Sequence, residues 1–171
     1  VPVTLVLGLG NILLRDEGIG VRALELLDER YEFPPEVQLL DGGTLGLNLL
    51  PYVEDADRLL VIDAVKMGGE PGTVVRLEGE EVPASLSVKI SPHEMGLADV
   101  LAAAQLRGRC PSELVLVGVQ PGVIDTGLEL SAPVAAQVAS LVEAALSQLS
   151  RWGIEWTAKL VPKKEGDDRW K

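Results

Sequence analysis

Five short apolar runs, rich in β-branched residues and each bounded by Gly, Pro or acidic residues, recur along the chain at residues 3–8, 37–41, 59–63, 73–77 and 114–119. Runs of this length and composition read as strands. The stretches between them carry apolar residues at helical spacing: Ile19, Ala23, Leu24 and Leu27 in one, Leu97, Val100, Leu101 and Ala104 in another. A third, longer stretch places Val134, Val138, Leu141, Val142, Ala145 and Leu149 on one face, with Ser131 as cap, Pro133 in the first turn and Gly153 as stop. That alternation predicts an α/β sheet with helices on its faces. Arg76 interrupts the fourth run and acids follow it, so residues 73–77 are expected at an edge.

Composition agrees with this plan. Of the 171 residues 47% are hydrophobic but only 4% aromatic, so the interior must be built from Val, Leu, Ile and Ala, as suits a buried parallel sheet. The length predicts one domain, expected over residues 1–156, followed by a polar, flexible tail at 157–171. A net charge of −11 argues against nucleic acid and anionic membranes as partners. No apolar stretch is long enough to span a membrane, and the first residues lack the basic start of a signal peptide, so a cytoplasmic protein is expected. Cys110 is the only cysteine, which excludes an internal disulfide and a multi-cysteine zinc site.

The loop after the first strand, VLGLGNILLRDEGIG, starts like a dinucleotide-binding turn, with Gly8 and Gly10. The third glycine of that fingerprint is replaced by Leu13, and Asp16 with Glu17 would stand where the pyrophosphate sits, repelling it. The nucleotide reading is set aside. Taken alone, Asp16 and Glu17 read as an N-cap and a first-turn acid of the helix that follows.

Ligands of open α/β sheets bind outside the carboxyl ends of the strands. Polar residues gather there: Asn11, Asp16 and Glu17 after the first strand, Asp41, Gly42, Gly43 and Thr44 after the second, and Asp63 at the end of LLVI. An acid ending so apolar a run needs a cation, or backbone amides to cap. His93, the one histidine, sits in a capping box, Ser91-x-x-Glu94 with Pro92 in the first turn, where the helix dipole favours the neutral ring that binds metals. A histidine joined by two carboxylates would form a mixed nitrogen and oxygen site with open coordination positions.

GNILLRDEGIG, LDGGT, VIDA, ISPHEMGLADVL and LVGVQP, in this order and spacing, resemble the hydrogenase maturation endopeptidases, and among them those that process uptake [NiFe]-hydrogenase large subunits. The resemblance covers residues 3–149. It implies a three-layer α/β sandwich, a twisted, mostly parallel five-stranded sheet with helices on both faces. It also implies an endopeptidase, nickel-dependent and of aspartic or metal-assisted type, that removes a C-terminal peptide from the large-subunit precursor after nickel insertion. On this resemblance Glu17, Asp63 and His93 are nickel ligands, the nickel being supplied by the substrate's own centre. The run Asp41, Gly42, Gly43, Thr44 handles substrate, and Asp41 is a candidate general base. A monomer is expected. Two rivals stay open from the residues: a general metal-dependent hydrolase or peptidase carrying its own ion, and a non-catalytic nickel or nucleotide binding module.

Overall fold

The computed structural model describes residues 1–43, 45–86 and 96–160. Its main sheet is built from β1 (Thr4–Leu9), β3 (Val37–Gly43), β4 (Arg58–Ala64), β5 (Val74–Glu78) and β6 (Glu113–Val119), in the order β3-β1-β4-β6-β5. A short ribbon pairs β2 (Tyr31–Glu32) with β7 (Thr157–Ala158). The helices are α1 (Ile19–Arg30), α2 (Leu50–Asp55), α3 (Glu81–Leu86), α4 (Leu97–Leu106), α5 (Ala132–Ala135) and α6 (Val138–Arg151). All pairings in the main sheet are parallel except β5 with β6, which is antiparallel at the edge expected for residues 73–77.

Period-2 alternation explains why β1 is apolar from Leu5 to Leu9. Val6 faces α1 and α6 together with Leu60, Ile62, Val115 and Val117, while Leu5, Leu7 and Leu9 face α2 and α4 with Leu59 and Val61. A strand buried on both faces has no polar side to show.

The third helical stretch is divided. Ser131 sits at the start of α5 in extended backbone, but its hydroxyl makes no capping bond. After Ala135 the chain tightens, Gln137 N–H bonding Val134 O at 2.9 Å, before α6 resumes. All six apolar positions of the expected face are nonetheless buried. Gly153, at φ +76°, ends α6 as expected. Beyond it Thr157–Ala158 pairs with β2, and Lys159 donates from its backbone N–H to Arg30 O at 2.8 Å and from Nζ to Asp28 O at 2.7 Å.

Connectivity creates the crevice. From β1 the chain crosses through α1 to β3 on one side, then returns through α2 to β4 on the other. With α1 and α2 on opposite faces, the carboxyl ends of β1 and β4 splay apart at a topological switch point, where such sheets bind ligands.

Candidate active site

Glu17 and Asp63 meet at that switch point. Asp63 ends β4, and Glu17 lies in the 3-10 turn Arg15–Gly18 between β1 and α1. Two glycines allow the approach. Gly10 has φ +114°, and a Cβ there would overlap the Glu17 carbonyl and stand 3.7 Å from Asp63 Oδ1. A Cβ on Gly20 would overlap Ile62 O, so α1 can press against β4 only with glycine at that position.

Electrostatics register the pairing. Burial pushes the Asp63 carboxyl up, the Ala64 N–H donating to Oδ1 at 2.8 Å opposes it, and the neighbouring Glu17 charge adds to the rise, leaving a pKa of about 7. Glu17 Oε2 is itself shut off from solvent. Two half-buried acids side by side resist double ionisation unless a cation joins them. The oxygen donors and their surplus negative charge therefore fit a divalent ion, which Glu17 and Asp63 could hold between them. Among the described residues no third His, Cys, Asp or Glu completes a metal-binding group with them. His93 and Thr44, both named from the sequence, lie outside the described residues.

Asp41 is placed differently. It lies in β3 opposite Gly8 of β1, which in turn faces Ile62 of β4, so Asp41 is two strands, about 10 Å, from the Asp63 strand. Leu39 packs toward α1 and α6, and alternation sends Asp41 to the same side; Val61 faces α2 and α4, and Asp63 alternates with it. Asp41 is exposed, Gly42 is buried against Leu7 and Leu9, and Gly43 accepts from Gly10 N–H at 3.3 Å. The glycine run is thus bound to the first loop, while the Asp41 carboxylate stands at the rim of the crevice.

Asp16 has a role that the sequence reading missed. It is fully buried and caps no helix. Its Oδ2 accepts from Gly122 N–H at 2.8 Å, Val123 N–H at 2.8 Å and the Ser131 hydroxyl at 2.6 Å, and its Oδ1 from Ser131 N–H at 2.7 Å. Burial alone would raise this carboxyl, but the Ser131 hydroxyl and the three amides outweigh it and hold the pKa below the ordinary value. Arg15 reinforces the tie. At φ +52° it occupies the left-handed region that side chains avoid, and its Nε donates to Glu129 O at 2.9 Å. No local pattern marks Asp16, because its partners lie more than a hundred positions away.

Comparison with known proteins agrees with this architecture. The family model described as hydrogenase maturation protease matches residues 21–148. A hydrogenase expression/formation protein, HupD, of Rhodobacter capsulatus is 48% identical over 155 residues, covering 90% of this chain and 74% of that protein. The hydrogenase 2 maturation protease of Escherichia coli is 47% identical over 152 residues, covering 88% and 93%. The solved structure of the hydrogenase maturating endopeptidase HybD from E. coli superposes with a TM-score of 0.88 at 44% identity, covering 92% of this chain and 98% of that one.

Proposed function

The chain belongs to the hydrogenase maturation proteases, and we propose that it removes a C-terminal peptide from a [NiFe]-hydrogenase large-subunit precursor once nickel has been inserted. The observation that carries the reading is the juxtaposition of Glu17 with Asp63, two acids whose mutual repulsion a cation relieves. Glu17, Asp63 and His93 are the residues that would hold the substrate's nickel. An unmetallated precursor would leave the acids facing one another uncompensated, so binding discriminates between the two precursor forms. When bound, the ion supplies recognition and polarises nearby oxygens.

Asp41, exposed at the rim, acts in this reading as a general base, taking a proton from water at the scissile bond, while the glycines beside it leave room for a bound peptide backbone. The large apolar side chains left exposed on loops that follow strand ends, Leu13, Leu45, Leu47, Met67 and Leu128, suit contact with a protein substrate. The protease acts as a monomer in the cytoplasm, and its metal arrives with the substrate. The test is to incubate it with precursor carrying or lacking nickel and to follow precursor mass. Cleavage of the nickel-loaded form alone is expected; equal cleavage of both overturns nickel recognition.

A further inference from the structure

We propose that Asp16 is a positioning residue: together with Ser131 it clamps the loop that follows β6 onto the first loop and thereby holds Glu17 against Asp63. The inference rests on the reading of Glu17 and Asp63 as ligands of the substrate's metal. Four donors converge on one buried carboxylate, three of them backbone or side-chain groups of Gly122 and Ser131, and none comes from the helix that Asp16 precedes. The same loop is tied again by backbone bonds on either side of the carboxylate. Asp16 N–H donates to Val123 O at 3.1 Å, Arg15 N–H to Gly127 O at 3.1 Å, and Gly127 N–H to Leu13 O at 2.9 Å. Glu17 follows directly, so these bonds fix the turn that presents it.

This arrangement has a function beyond cohesion. Two neighbouring acids push each other apart, and a 3-10 turn of four residues has little stiffness of its own to resist. The clamp supplies the opposing restraint, so that Glu17 is already in place when the metal arrives. Asparagine at position 16 would turn an N–H toward a donor and break the convergence, whereas alanine at 131 removes one donor and leaves three.

The experiment titrates Ni²⁺ alone into the full chain by calorimetry and, in parallel, measures KM and kcat on nickel-loaded precursor, for Asp16→Asn, Ser131→Ala and a control, Leu149→Ala. Leu149 is buried in the core near the end of α6, so its truncation lowers stability without touching the clamp. Removing supporting bonds of this kind typically weakens metal affinity about tenfold to a hundredfold. Weakened Ni²⁺ binding and a raised KM are expected in Asp16→Asn, and to a smaller degree in Ser131→Ala, with neither seen in Leu149→Ala at equal loss of melting temperature. Wild-type Ni²⁺ affinity and KM in folded Ser131→Ala, or losses matching those of Leu149→Ala, overturn the proposal. Should Asp16→Asn fail to fold, Ser131→Ala decides alone. Glu17→Ala run alongside separates the two levels: if it binds Ni²⁺ as wild type does, the ligand reading itself has failed, and the clamp proposal falls with it.

Discussion

Gly10 lies so close beneath Glu17 that a Cβ on the glycine would overlap the Glu17 carbonyl. The first loop can therefore fold over the ends of β1 and β4 only with glycine at this position, which also adopts φ +114°. Gly10→Ala is expected to cost about 1–3 kcal/mol in urea unfolding and to suppress precursor processing, because the turn carrying Glu17 must move. Gly79→Ala is the comparison: Gly79 also has positive φ, +60°, but no atom stands within 4 Å of its would-be Cβ. That variant should lose about 1 kcal/mol and process normally. Normal processing in Gly10→Ala would show that the close packing is dispensable.

Asp63 makes the metal-free protein sensitive to pH in a defined direction. Its carboxyl rises from 3.8 to about 7 on folding, so the native state holds a proton that the unfolded chain releases between those values. Stability is then lost as pH climbs from about 4 through 7 and the folded group is forced to ionise. Asp63→Asn should be more stable than wild type at pH 8, the gap closing toward pH 4 in urea titrations. A gap independent of pH would mean that Asp63 titrates as an ordinary carboxylate.

Asp16 acts with the opposite sign. Its folded pKa lies below 3.8, so the stabilisation is complete above that value and disappears as pH falls through the folded one. Ser131→Ala removes the hydroxyl that contributes most to the lowering. Wild type should exceed it in stability at pH 7 and lose much of that advantage below about pH 4. Unfolding curves that keep their separation in acid would contradict this.

Replacing Glu17 or His93 by Ala is expected to abolish processing of nickel-loaded precursor while far-UV circular dichroism and melting stay close to wild type. Loss of Glu17 should also bring the Asp63 carboxyl down, since the Glu17 charge is one of the causes that raise it. Processing at the wild-type rate in either variant would refute the ligand assignment.

Much of the fold was legible because strands and helix faces are local patterns. The runs at 3–8, 37–41, 59–63, 73–77 and 114–119 each coincide with a strand to within two residues at either end. Leu97, Val100, Leu101 and Ala104 are buried, as their spacing requires. Arg76 within the fourth run, with the acids that follow it, marked β5 as an edge. The break between α5 and α6 was not legible, since the apolar face continues across it and periodicity records only which side is buried.

Residue chemistry along the chain thus determined the five strands, the helix faces that cover them and the acids at the strand ends, because each depends on neighbours a few positions away. Only the tertiary structure decided which acids meet. The crossing of the chain through α1 and α2 onto opposite faces brings Glu17 to Asp63 and leaves Asp41 two strands distant, at the rim. It also turned Asp16 from a helix cap into the anchor of a loop more than a hundred positions away. A carboxylate takes whatever donors the fold delivers to it, and sequence spacing carries no record of donors that arrive from the far end of the chain.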